Sequence, residues 1–121
     1  MWSRSQTYHF IGIGGIGVSA VARVLHQQGV RVQGSDIRES QLTEGLRALG
    51  IPVTIGHAPE NIAGADVVVH STAVPADNVE RLAAREAGVA EAHRSDMLGL
   101  CLAVAARQDE PAPGPGIVYR M

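Results

Sequence analysis

Short apolar runs alternate with segments of helical spacing along the first hundred residues of the chain. The strand-like runs are Tyr8–Ile13, Val30–Gly34, Pro52–Ile55, Ala65–His70 and a brief extended piece at Val89–Ala92. Val67, Val68 and Val69 form an unbroken apolar run, which is typical of a parallel strand covered on both faces. The pattern predicts about five strands.

Between these runs, apolar residues recur at intervals of three and four, as on one face of a helix. The first predicted helix starts at Ile16, ends at a left-handed cap on Gly29, and has as its apolar face Ile16, Ala20, Val21, Val24 and Leu25.

Three further helices are predicted from capping residues and spacing. The second has Ser40 as its N-cap, Leu42, Leu46 and Leu49 on one face, and Gly50 at its end. The third is opened by Asp77 or Asn78, covers Val79–Ala87 and stops at Gly88, and the last runs from Ser95 to Gln108.

Strand and helix alternate throughout, and right-handed crossovers between them produce a parallel sheet with helices on both faces. The expected fold is therefore α/β, a Rossmann-like doubly wound sheet in a single domain spanning residues 1–108. Residues 109–121 are expected to form a tail, because Asp109–Gly116 holds three Pro and two Gly.

Composition narrows the function classes. A formal charge of −2 gives no general attraction to nucleic acid. No apolar stretch approaches the roughly 20 residues that span a bilayer, and the polar start lacks a signal-peptide core, so a cytoplasmic location is expected. The single Cys101 and the scattered histidines show no metal-ligand spacing, so no metal site is assigned.

The sequence from Gly12 to Gly17 reads G-I-G-G-I-G and lies between the first predicted strand and its helix. In this context Gly12 permits a tight turn, Gly14 lets the backbone approach a pyrophosphate, and Gly17 allows close packing of helix on strand. The helix N-terminus offers unpaired N–H groups to phosphates. A nucleotide diphosphate is the expected ligand.

Asp36 follows the second predicted strand, nineteen residues after Gly17. A carboxylate there can accept hydrogen bonds from ribose hydroxyls, which is the arrangement of NAD-binding domains. An NAD(H)-binding module of an oxidoreductase or redox-sensing regulator therefore stays open at this point. So does a non-catalytic regulatory protein that keeps the fold.

A more specific pattern extends over Tyr8 to Leu100 and resembles the N-terminal domain of the Mur ligases. Its segments, in order, are Tyr8–Ser19 (YHFIGIGGIGVS), Gly34–Asp36 (GSD), Ile55–His57 (IGH), Ser71–Pro75 (STAVP) and His93–Arg94 (HR). Within the family the similarity is greatest to the member that joins L-alanine to UDP-N-acetylmuramate. The resemblance implies a binding domain for UDP-N-acetylmuramate or UDP in the synthesis of peptidoglycan precursors for the cell wall.

The resemblance also implies roles for particular residues, none of them catalytic. The diphosphate would be held by Gly12, Gly14, Gly15, Ile16, Gly17 and His57. The ribose and uracil would contact Ser35 and Asp36, and the rest of the pocket would be formed by Ser71, Thr72, Ala73 and Arg94.

The chain departs from the family pattern in one informative respect. The full-length family enzyme uses ATP and Mg²⁺ to activate a carboxylate, and a P-loop needs a lysine on the transferred phosphate. All ten basic residues here are arginine. We therefore expect this chain to be non-catalytic by itself, to hold no cofactor of its own, and to have the other ligase domains as its protein partner.

Overall fold

The computed structural model describes residues 2–101. The strands are Thr7–Ile11 (β1), Arg31–Asp36 (β2), Val53–Ile55 (β3), Val67–His70 (β4) and Ala90–His93 (β5). The helices are Ile16–Gln27 (α1), Gln41–Ala48 (α2), Val79–Ala87 (α3) and α4, which covers residues 97–101 of the described part. Two short 3-10 helices are Pro59–Ile62 and Arg94–Asp96.

The five strands form one sheet in the order β3-β2-β1-β4-β5, and every pairing is parallel. From β1 the chain adds β2 and β3 on one side, then crosses back to place β4 and β5 on the other. The direction of winding thus reverses between β1 and β4. The predicted doubly wound α/β fold is confirmed.

Alternation along the strands supplies two separate cores. In β1, Tyr8 and Phe10 lie in the larger core, whereas Ile11 lies in the smaller one. The larger core packs the sheet against α1, α2 and α4, and the smaller packs it against α3. Val68 faces the smaller core and its two valine neighbours face the larger one, as expected for a strand covered on both faces.

The capping residues act largely as the sequence predicts. Gly29 and Gly88 have positive φ at the ends of α1 and α3. Ser40 caps α2 by accepting from the Thr43 backbone N–H. Of the two candidates before α3, it is Asn78 whose side chain accepts from the helix N–H groups.

The predicted apolar faces of two helices were partly wrong. Ile16 is 84% exposed, Val24 is 37% exposed and Ala20 is exposed as well. The buried face of α1 consists instead of Val18, Ser19, Val21, Ala22 and Leu25. Ile16 is the first helical residue, beyond the strand ends, so its side chain has no sheet to pack against. Leu49 is 39% exposed because it follows the last turn of α2.

Some predicted boundaries also differ. β1 stops at Ile11 rather than Ile13, because the N–H groups of Gly12 and Ile13 both turn toward the Ser35 carbonyl. The last predicted helix starts with the 3-10 turn Arg94–Asp96. Its residues 102–108, and the predicted tail 109–121, lie outside the described residues. None of the helices described is long and apolar enough to cross a membrane.

Candidate functional site

The predicted site residues come together at one edge of the sheet. Ile11 pairs with Ser35, and Asp36 pairs with Ile55. Across β1, Phe10 pairs with Val69. The residues that follow these strand ends therefore share the carboxyl edge, where open α/β sheets bind ligands at the switch point. They are Gly12–Gly17, His57, Ser71–Ala73 and Arg94.

The glycine loop is anchored on the end of β2. Gly12 has φ +75°, a conformation that favours glycine. The N–H groups of Gly12 and Ile13 donate to the Ser35 carbonyl oxygen at 2.8 and 2.9 Å, and the Gly15 N–H donates to the Gly12 carbonyl at 3.0 Å. The predicted tight turn at Gly12 is confirmed.

Asp36 holds the same loop through its side chain. The backbone N–H of Gly14 donates to Asp36 Oδ2 at 2.8 Å. A Cβ at Gly14 would lie 2.8 Å from that oxygen and 2.9 Å from Thr43 Cγ2. In the described structure, the Asp36 and Thr43 side chains are close neighbours that by themselves require glycine at this position.

Gly34, in β2, packs against the side chain of Ile13 from the glycine loop. A Cβ there would lie 2.5 Å from Ile13 Cδ1 and 2.7 Å from the Phe10 carbonyl oxygen. Ile13 is fully buried, so the loop inserts its side chain over the bare backbone of β2. In this Gly-Ser-Asp segment, Gly34 leaves room for the Ile13 side chain and the Ser35 carbonyl accepts from the loop backbone. Asp36 places a carboxylate at the edge of the sheet.

The start of α1 retains unused donors. The N–H groups of Ile16, Gly17 and Val18 have no acceptor among residues 2–101, as is usual in a first helical turn. Arg94 places its guanidinium directly over Gly17, so that a Cβ added at Gly17 would overlap with Nη1. Gly17 was expected to allow helix and strand to pack closely; it instead makes room for Arg94.

A buried carboxylate lies beneath this edge, on the α3 face of the sheet. Glu80 is fully buried, and its Oε1 accepts from His9 Nε2 and Ser35 Oγ, each at 2.7 Å. Its Oε2 accepts from Asn61 Nδ2 at 2.7 Å and from the Ala58 N–H at 3.2 Å. Burial alone would raise the pKa of Glu80, but the hydrogen bonds from His9, Ser35 and Asn61, together with the positive charge that His9 carries when it is protonated in acid, lower it to about 2.

His57 joins this network from the open side. Its Nδ1 lies 3.1 Å from Ser35 Oγ and 3.3 Å from Glu80 Oε2, and the side chain is 19% exposed. Ser35, expected beside the ribose or uracil, is fully buried. Its hydroxyl points to Glu80 rather than to the open edge.

The other side of the site is built by β4 and β5. Ser71 opens a turn in which its Oγ accepts from the Ala73 N–H at 3.3 Å and its carbonyl accepts from the Val74 N–H. Thr72 Oγ1 lies 3.0 Å from His93 Nε2, which ties this turn to the strand before Arg94. Thr72 and Ala73 are exposed, as a pocket wall would be.

Glu80, its partner Asn61, and Gln33, which bonds to His9, were not among the site residues predicted from the sequence. Glu80 sits two residues after the N-cap of α3, where an acidic residue ordinarily faces solvent and complements the helix dipole. No local signal separates this residue from a solvated one. Among the described residues, His, Cys, Asp and Glu form no group of three or more able to hold a metal ion.

The chain as a whole is similar to proteins of one known family. A family model described as "Mur ligase family, catalytic domain" matches residues 7–105. The chain belongs to the Mur ligase family.

Two sequence relatives of this Mur ligase domain carry the same function name. The UDP-N-acetylmuramate–L-alanine ligase of Novosphingobium aromaticivorans is 54% identical over 92 residues, which is 76% of this chain and 19% of that protein. That of Acidiphilium cryptum is 54% identical over 93 residues, which is 77% of this chain and 19% of that protein. The chain thus spans about a fifth of the length of these relatives.

Solved structures agree with the sequence relatives. A UDP-N-acetylmuramate-alanine ligase from Thermotoga maritima is 37% identical with a TM-score of 0.74, covering 88% of this chain and 24% of that one. A UDP-N-acetylmuramate:L-alanyl-γ-D-glutamyl-meso-diaminopimelate ligase from Neisseria meningitidis is 26% identical with a TM-score of 0.69, covering 74% and 29%. This Mur ligase chain therefore corresponds to the N-terminal domain of such enzymes.

Proposed function

We propose that this Mur ligase domain binds UDP-N-acetylmuramate, with the diphosphate at the N-terminus of α1. The observation that carries the proposal is that two donor groups lie side by side: the N–H groups of residues 16–18, which have no acceptor among residues 2–101, and the Arg94 guanidinium over Gly17. A helix N-terminus favours anions through its free N–H groups and its dipole. An arginine adds charge-assisted hydrogen bonds to phosphate oxygens.

The nucleoside is proposed to lie over the end of β2. Asp36 uses Oδ2 to hold Gly14, while its Oδ1 makes only a 3.4 Å contact with the Arg38 N–H. Oδ1 therefore keeps acceptor capacity for a ribose hydroxyl. His57 would flank the diphosphate, and the exposed turn at Thr72 and Ala73 would contact the sugar beyond it.

The chemistry of ligation is proposed to need more than these residues. ATP-dependent carboxylate activation places a cation clamp on the transferred phosphoryl group, commonly a P-loop lysine with Mg²⁺. The 121 residues contain ten arginines and no lysine. We assign this domain the binding of the UDP-linked substrate and assign ATP, Mg²⁺ and L-alanine to the remaining domains of the family.

Calorimetric titration of the chain with four ligands tests the proposal. UDP-N-acetylmuramate and UDP should bind, whereas NADH and ATP should not. NADH is the informative competitor, because an acid after the second strand is also where NAD enzymes hold the ribose. Preferential binding of NADH would replace the proposal with an NAD(H)-binding module, and absence of any binding would favour a non-catalytic interaction protein.

A further inference from the structure

The buried network beneath the site fixes the protonation pattern of its histidines. Glu80 is ionised above about pH 2 and is therefore an acceptor only. His9 Nε2, at 2.7 Å from Glu80 Oε1, must carry a proton. Its Nδ1 faces Gln33 Nε2 at 3.0 Å, and that amide nitrogen also donates to the Asn61 carbonyl. His9 is therefore neutral, with its proton on Nε2.

His57 has the opposite tautomer, which follows from its contacts with Ser35 and Glu80. Ser35 has one hydroxyl proton and donates it to Glu80 Oε1 at 2.7 Å. Its oxygen must then accept from His57 Nδ1, 3.1 Å away. Glu80 Oε2, at 3.3 Å, is a second acceptor on the same ring nitrogen. Nδ1 of His57 therefore carries the proton, and Nε2 of the neutral ring is left with a lone pair.

The negative charge of Glu80 makes the protonation states of the two histidines important. Because His9 is neutral, none of the described residues that are hydrogen-bonded to the Glu80 carboxylate carries a positive charge unless His57 gains a second proton. The side-chain ionisable groups bonded into this network are Glu80, His9 and His57. The nearby carboxylate of Asp36 points instead to the Gly14 N–H.

We propose that His57 takes up a proton at Nε2 when a diphosphate binds, and that Glu80 is the positioning residue that holds Nδ1–H. This inference rests on the proposed function. The lone pair on Nε2 would repel a phosphate oxygen, so a proton from solvent must join Nε2 before that atom can donate to the anion. The resulting imidazolium pairs with Glu80 on one side and the diphosphate on the other, as charge-assisted hydrogen bonds.

Histidine NMR and calorimetry of the whole chain test the inference with UDP as the probe. In the ligand-free chain with ¹⁵N-labelled histidine at about pH 8, where histidine is ordinarily neutral, His57 should show a protonated Nδ1 and an unprotonated Nε2. Saturating UDP should protonate Nε2. Titrations in buffers of different ionisation enthalpy should show net proton uptake, and UDP affinity should fall as the pH rises, by up to about tenfold per pH unit for the uptake of one proton.

Variants separate positioning from simple structural support. His57→Gln should abolish proton uptake and flatten the affinity profile, while the matched control His26→Gln, whose Nε2 bonds the Leu49 carbonyl away from the site, should keep both. Glu80→Gln should reduce proton uptake. If that variant fails to fold, the tautomer of the unaltered chain and the His57→Gln comparison still decide the matter.

The outcomes are distinct. A proton on Nε2 and none on Nδ1 in the ligand-free chain would overturn the inference. So would UDP binding without proton uptake, or equal uptake in a folded Glu80→Gln variant; each of these would leave the proposed function intact. Absence of UDP binding would overturn the proposed function together with the inference.

Discussion

The backbone N–H of Gly14 donates to the carboxylate of Asp36 at 2.8 Å, joining the glycine loop after β1 to the end of β2. One carboxylate oxygen is thereby committed to holding the loop, and the other is left near the open edge. The residue that we propose as the ribose acceptor therefore also fixes the shape of the diphosphate site.

Replacement of Asp36 should affect both tasks. We expect Asp36→Ala to weaken UDP binding by about 1.5–3 kcal/mol, the usual value for hydrogen bonds to a charged group, which is on the order of tenfold to a hundredfold in affinity. Asp36→Asn should lose less, because its amide oxygen can still accept from Gly14. Uridine monophosphate and UDP-N-acetylmuramate should be weakened alike, since both carry the ribose.

Calorimetry of these variants should include Asp77→Ala as a matched control, since Asp77 is exposed just before α3. Its affinity should equal that of the parent. Unchanged affinity in Asp36→Ala would remove Asp36 from the ribose site and leave it only the loop contact.

Two glycines with opposite surroundings provide a second prediction. A Cβ at Gly14 would press on Asp36 and Thr43, whereas a Cβ at Gly99 in α4 would meet no atom within 4 Å. Gly14→Ala should lower the free energy of unfolding by about 1–3 kcal/mol, as overpacking does, and should also weaken UDP binding. Gly99→Ala should raise it by about 0.5–1 kcal/mol through helix propensity.

Chemical denaturation of both variants measures the difference directly. Equal stability of Gly14→Ala and the parent would mean that the loop can move away from β2 at little cost. The described contacts of Gly14 would then not explain the glycine.

Features encoded over short stretches of chain could be predicted from the sequence. The valine run indicated a strand covered on both faces, Ser40 and Gly88 marked helix ends, and the spacing from the glycine loop to Asp36 indicated the edge of the sheet where they meet. Each of these signals depends on residues close in sequence or on the known geometry of the βαβ unit.

Features that depend on distant contacts could not be predicted in the same way. Glu80 has the sequence position of a solvated helix-start residue, yet it is buried because His9, Ser35 and Asn61 supply donors from three separate segments. Likewise, Ile16 fits the helical spacing of an apolar face but is exposed, since only the packing of α1 on the sheet determines which face is buried.

The buried Glu80 also predicts acid sensitivity. Its pKa in the fold, about 2, is below the ordinary value of 4.5. A depressed carboxyl pKa stabilises the fold above the unfolded value, and that stabilisation is lost as the pH falls from about 4.5 toward 2. We expect the free energy of unfolding to decrease across this window, on the order of 3 kcal/mol for this group.

Urea denaturation at several pH values, compared between the parent and Glu80→Gln, measures that contribution. The variant should be less stable near neutral pH by about 1–3 kcal/mol, because it leaves buried donors unsatisfied, and its stability should change less between pH 4.5 and 2. A parallel decline in both proteins would assign the acid sensitivity to other carboxylates.

Arg94 provides the most direct test of the diphosphate site. Its guanidinium lies over Gly17 at the start of α1, and the ion pairs of the described residues do not include it. Arg94→Gln should therefore cost little stability while removing the positive charge that faces the proposed anion. We expect UDP affinity to fall by about 1.5–3 kcal/mol, the value of a charge-assisted hydrogen bond.

Salt dependence distinguishes lost charge from altered packing. Added salt screens exposed charges, so UDP affinity of the parent should decline with ionic strength more steeply than that of Arg94→Gln. Arg31→Gln is the matched control, because Arg31 is an exposed arginine at the start of β2, at the opposite edge of the sheet. Its affinity and salt dependence should match the parent. If Arg94→Gln and Arg31→Gln behave alike, the guanidinium over Gly17 does not contact the anion, and the diphosphate must be held by backbone groups alone.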